Sequence, residues 1–102
     1  MHIQLNTDHN IQGDESVQRH LEQTLESNLG RFSKQITRIE VHLRDTNAGK
    51  QGDDDKHCLL EARLEGRPPV VASDDAATIA TAITGAARKL QRALDTSLGK
   101  LN

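Results

Sequence analysis

The feature that most constrains this chain is a pair of stretches in which apolar and charged residues alternate, "ITRIEVHLR" at 36–44 and "HCLLEARLE" at 57–65. A period of two puts successive side chains on opposite faces of a strand. Ile39, Val41 and Leu43 therefore face one way, as do Cys58, Leu60, Ala62 and Leu64. Arg38, Glu40, His42 and Arg44 face the other, with His57, Leu59, Glu61, Arg63 and Glu65. Two such strands joined by a polar loop make a hairpin with one apolar and one charged face. Opposed side chains of unlike charge favour a pairing and like charges oppose it. The expected register sets Glu40 against Arg63, Arg38 against Glu65 and His42 against Glu61, in preference to one that sets Glu40 against Glu61 and Arg38 against Arg63.

The other segments follow from the same reasoning. "HIQLN" alternates around Ile3 and Leu5 and reads as a short strand. From Asp14 or Glu15 onward, Val17, Leu21, Leu25 and Leu29 recur every four residues, which gives a helix one apolar stripe. Gly30 is expected to end it in the left-handed cap conformation. "EGRPP" makes a turn that suits the start of an edge strand, and "VVAS" supplies that strand. Ser73 or Asp74 then caps a second helix, whose packing side is Ala76, Ile79, Ile83, Ala86, Leu90, Ala93 or Leu94, and Leu98.

The order strand, helix, three strands, helix implies a right-handed crossover between two parallel strands, followed by an antiparallel meander. Each helix has one apolar stripe and each strand one apolar side, so both helices lie on the same face of the sheet. The expected architecture is an α+β two-layer sandwich, β-α-β-β-β-α, with a four-stranded mixed sheet and a wet, charged outer face. At 102 residues the chain is read as one domain spanning 1–102. Leu, Ile, Val and Phe make up about a fifth of it, a lean core, but the net charge of only -2 keeps it in the folded class. No apolar run is long enough to span a membrane, and "MHIQLN" has neither the basic start nor the hydrophobic stretch of a signal peptide. The cytoplasm is the expected compartment. A lone cysteine, Cys58, fits a reducing environment and is expected to be a small core residue.

The stretch "RDTNAGKQGDDDKHCLL" gathers glycines, aspartates, His57 and Cys58. Its opening looks like a calcium loop, but Lys50 and Lys56 stand where that motif needs glycine and a bidentate glutamate. His57 and Cys58 are neighbours in a strand, so they point to opposite faces and cannot work as base and nucleophile. The segment reads as a polar hairpin tip. His2, His42 and His57 share the charged sheet face, where three imidazoles could in principle hold zinc, but no supporting pattern of partners accompanies them. There is no phosphate-cradling glycine loop and no serine elbow. The chain is expected not to be an enzyme and to need no metal, cofactor or small-molecule substrate.

Binding remains. "RKLQRALDTSLGK" carries Arg88, Lys89, Arg92 and Lys100 against one Asp95, and Arg31 and Lys34 follow the first helix. Such a cluster could grip phosphate oxygens. It could equally be the placing of cations that the helix dipole favours. With Phe32 as the only aromatic residue, base stacking is excluded, and any RNA contact must work through charge and shape.

The order of elements, with "DTNAGKQGDDDKHCLLEARLEGRPPVVAS" and "AITGAARKLQRALD", resembles the ribosome hibernation promoting factor family over nearly the whole chain, and most sharply from Val41 to Leu94. The resemblance implies the same β-α-β-β-β-α fold. It also implies a ribosome-associated translation inhibitor that occupies the messenger and transfer RNA channel of the small ribosomal subunit in slow-growing bacteria. Its contacts to 16S rRNA would come from basic helix residues, here Arg88, Lys89 and Arg92, with Arg19 and Arg31. The chain departs from the family in its first helix, where Thr24 and Ser27 stand beside Glu22 and Glu26 in place of lysines. It also lacks the C-terminal domain with which long members pair two ribosomes, so it is not expected to join ribosomes unaided. The alternative reading is a stress-linked interaction module that meets another protein through its charged sheet face or acidic loop.

Overall fold

The computed structural model describes residues 1–8, 11, 14–45 and 55–99. The chain forms β1 (His2–Thr7), α1 (Glu15–Leu29), a single 3-10 turn (Gly30–Phe32), β2 (Ile36–Asp45), β3 (Lys56–Leu64), β4 (Arg67–Ala76) and α2 (Ile79–Gly99). The strands lie side by side in sequence order, β1 parallel to β2 and the rest antiparallel. The expected architecture is the one observed.

Alternation builds the core as expected. Ile39, Val41, Leu43, Cys58, Leu60 and Ala62 have no exposed surface. They meet Leu21, Leu25 and Leu29 of α1 and Ala82, Ile83, Ala86, Leu90 and Leu94 of α2. Each fully buried leucine is worth about 1.5–3 kcal/mol. Among the described residues no polar or charged side chain is buried. Burial pushes the Cys58 thiol up to about 12, and the Asp74 carboxylate, its cross-strand neighbour, adds to the shift. Cys58 is thus the core residue that the sequence suggested.

The register between β2 and β3 differs from the expected one. Arg38 lies opposite Arg63, Glu40 opposite Glu61 and His42 opposite Leu59. Two things override the simple charge rule. Leu64 pairs with Arg67 across a two-residue turn, Glu65-Gly66, in which Gly66 takes φ 71°, so Glu65 leaves the strand and cannot face Arg38. The charges then pair along and diagonally across the strands. Arg38 reaches Glu40 at 2.9 Å, and Arg63 reaches Glu61 at 3.2 Å and Glu40 at 3.4 Å. A shift of two residues preserves the apolar face, so the core does not distinguish the two registers.

Two helix ends also differ. Asp14 caps α1, its carboxylate accepting from the Val17 N–H at 3.0 Å. Gly30, however, has φ -57° and ψ -34° and continues right-handed into the 3-10 turn. Ser73 and Asp74 belong to β4, and Thr78 caps α2, its hydroxyl accepting from the Thr81 N–H at 3.1 Å. The strand extends because its inward positions Ala72, Asp74 and Ala76 pair with Leu60, Cys58 and Lys56 of β3.

The helices run side by side in the same direction. His20 Nε2 lies 3.2 Å from the Ala80 carbonyl and 3.4 Å from the Thr84 hydroxyl, while Arg31 pairs with Asp95 further along. Among the described residues no helix is long and apolar enough to cross a membrane.

Candidate nucleic-acid interface

At 100° per residue, Leu90, Ile83 and Leu94 turn α2 inward, which leaves Arg88 and Arg92 one turn apart on its solvent side. Both are exposed, and neither forms an ion pair with another described residue. Lys89 lies a quarter-turn away toward β4, where the Asp74 carboxylate accepts from its Nζ at 2.8 Å. Gly85, one turn earlier, makes this possible: a side chain there would collide with Asp74.

Arg31 stands on the 3-10 turn. Its guanidinium lies 4.6 Å from the centre of the Phe32 ring and pairs with Asp95 on α2. The pair joins the C-terminal turns of the two helices and brings Arg31 to the level of Arg92. Phe32, 8% exposed and covered by Arg31, offers no platform for a base. Arg19 is exposed on the side of α1 turned away from α2, between Glu15 and Glu22. The structure therefore places Arg88, Lys89 and Arg92 along the middle of α2, with Arg31 further toward its C-terminal end beside Asp95, and leaves Arg19 apart. Lys34 is exposed beyond the 3-10 turn, and Lys100 lies outside the described residues.

The sequence reading missed the counter-ions. Asp74 looked like a helix cap, and only the extension of β4 turns it toward Lys89. Asp95 was visible as the one acid in the cluster, but its pairing with Arg31 depends on the parallel packing of the helices. Exposed ion pairs of this kind are worth about 0.2–1 kcal/mol. Exchanging either carboxylate for a phosphate is therefore a small cost.

The charged sheet face has less reach. Arg38, Glu40, Glu61 and Arg63 neutralise one another, and His57 pairs with Asp75 at 2.7 Å. His2, His42 and His57 lie in different cross-strand rows, opposite Arg38, Leu59 and Arg44 respectively. The loop at 46–54, read as a hairpin tip, lies outside the described residues. At its base, the Asp55 and Asp45 carboxylates lie 3.1 and 3.3 Å from Lys56 Nζ and raise the pKa of that amine.

Comparison with known proteins adds to this geometry. A ribosomal subunit interface protein from Coxiella burnetii has a similar structure, with a TM-score of 0.74 over 99% of this chain and 97% of that one, at 17% identity. The N-terminal domain of Thermus thermophilus Protein Y is similar over 100% of both chains, with a TM-score of 0.72 and 20% identity. At these identities the likeness establishes the fold. No curated protein matches the chain in sequence. The model of one protein family does match, over residues 6–102. The chain belongs to that family, described as sigma 54 modulation protein / S30EA ribosomal protein, a non-enzymatic family of ribosome-associated inhibitors and the one its sequence resembled.

Proposed function

We propose that this protein docks on the small ribosomal subunit through phosphates of 16S rRNA and blocks translation there, as a hibernation factor of slow-growing cells. One observation carries the reading: Arg88 and Arg92 stand together on the outer side of α2, exposed and without an ion pair among the described residues. Lys89 and Arg31 join them by giving up Asp74 and Asp95. Arg19, on the far side of α1, makes a separate contact. Charge and shape carry the binding, since no aromatic face is free to stack on a base. Such a protein works in the cytoplasm as a single domain, with no cofactor.

Sedimentation of stationary-phase lysate through a sucrose gradient tests this. The wild-type chain is expected with the 30S subunit and in 70S particles, and an Arg88→Glu, Arg92→Glu variant at the top of the gradient. Wild-type chain that remains at the top, or a variant that still sediments with ribosomes, sinks the reading.

A further inference from the structure

β1 is an edge of the sheet and pairs, among the described residues, with β2 alone. Its free side opens into a cleft of about 650 Å³ between β1 and α1, lined by residues that include Met1, His2, Ile3, Glu22 and Glu26. The cleft continues over Leu5 and Leu21. Ile39 and Val41 of β2 are wholly buried, but their partners Ile3 and Leu5 are only half-buried, because no described residue covers them on this side. The backbone is equally open. The Asp8 N–H donates to the Leu43 carbonyl at 3.2 Å, so the even-numbered N–H groups of β1 face β2. Alternation turns the N–H and C=O of Ile3, Leu5 and Thr7 outward.

Charge selects the occupant. Glu22 and Glu26, both exposed and one turn apart, stand along the rim, and among the described residues that line the cleft the Met1 amino group is the one basic group near them. These carboxylates would repel a nucleic-acid backbone. Pairing of two copies through β1 would bring four of them together, and "HIQLNT" has no lysine or arginine, which leaves the Met1 amino groups and Arg19 to offset them. We propose that this edge accepts an extended, lysine- or arginine-bearing segment of a partner protein as a fifth strand. Its main chain pairs with Ile3, Leu5 and Thr7, one apolar side chain rests on Ile3, Leu5 and Leu21, and a basic side chain two residues along, on the same face, meets Glu22 and Glu26. α1 separates this cleft from Arg88 and Arg92, so the inference stands independently of the rRNA contact.

The test is an NMR titration of the full ¹⁵N-labelled chain with a capped octapeptide, Thr-Val-Thr-Lys-Thr-Val-Thr-Lys, whose valines and lysines share one face of a strand. Amide exchange at Ile3, Leu5 and Thr7 is expected to slow by at least about tenfold at saturation, with Gln4 and Asn6 changing less. The same octapeptide with glutamate for lysine, and the lysine octapeptide N-methylated at every residue, are expected to give no protection. A Glu22→Lys, Glu26→Lys chain, whose spectrum checks its folding, should bind the lysine peptide at least about tenfold more weakly. Unchanged exchange at the three amides overturns the proposal. So do binding by the acidic or methylated peptide, full binding by the double variant, and shifts centred on His42 and Leu59. Protection that rises with protein concentration in the absence of peptide assigns the edge to a second copy and also overturns it.

Discussion

The Asp74 carboxylate occupies the space that a side chain at Gly85 would need: a Cβ there would lie 2.7 Å from Asp74 Cγ and 3.2 Å from Asp74 Cβ. This contact lets α2 lie directly on β4 and lets Lys89 reach Asp74. Gly85→Ala gains about 1 kcal/mol in helix propensity and loses about 1–3 kcal/mol to overlap. A net loss of about 1 kcal/mol is expected in urea denaturation. Adding Asp74→Ala should restore stability to the wild-type value or above. If Gly85→Ala alone is stabilising, the close approach is not real.

Cys58 makes stability depend on pH in the alkaline range. Its folded pKa of about 12 lies above the ordinary value of 9.0, so the unfolded chain loses this proton first. The contribution is fully present below about 9 and is lost as pH rises toward about 12. Between those limits wild-type stability should fall about 1.4 kcal/mol per pH unit more steeply than that of Cys58→Ala. Parallel denaturation series from pH 8.5 to about 10.5 check this. The native thiol should also resist a disulfide reagent at pH 8 until urea unfolds the chain.

Glu40 stabilises the observed register by standing between Arg38 and Arg63, which lie directly opposite each other. Glu40→Gln leaves two facing guanidinium groups with only Glu61 to offset them. A loss of about 0.5–1 kcal/mol is expected at low ionic strength. The loss should shrink in 0.5 M salt, where such charges are screened within about 4 Å. Thermal unfolding at the two ionic strengths is sufficient.

Ribosome affinity should fall with salt in proportion to the phosphates engaged. About five contacts, from Arg88, Lys89, Arg92, Arg31 and Arg19, give a slope of log affinity against log salt near -4, at roughly 0.7–0.9 per contact. The Arg88→Gln, Arg92→Gln chain should give a slope shallower by about 1.4–1.8. Filter binding to purified 30S subunits from 50 to 200 mM salt measures both. An unchanged slope removes these two arginines from the interface.

The fold was legible because its core depends on periodicity alone: Ile39, Val41 and Leu43 alternate, and Leu21, Leu25 and Leu29 recur by four. The Glu40 register was not legible, since a slip of two residues keeps every apolar side chain inside and the choice rests on where the Glu65-Gly66 turn removes a residue from the strand. The start of α2 was hidden for a related reason. Ser73 and Asp74 are good caps, and nothing local says that β3 will hold them in a ladder. Arg88 and Arg92 were legible as a pair four residues apart, whereas the carboxylates that restrain Lys89 and Arg31 come from β4 and from parallel helix packing.

That common direction of the two helices sorts the molecule into poles. Asp8, Asp14, Glu15, Asp45, Asp55, Asp74 and Asp75 gather where α1 and α2 begin, offset there by Arg44 and Lys56, while at the opposite end Arg31, Lys34, Arg38, Arg63 and Arg67 are balanced by Glu26, Glu40, Glu61, Glu65 and Asp95. A formal charge of -2 therefore describes no part of the surface that a partner meets. In the field of a polyanion the molecule would experience a torque as well as a weak net repulsion, swinging its acidic end away, so that a weakly acidic protein arrives already oriented.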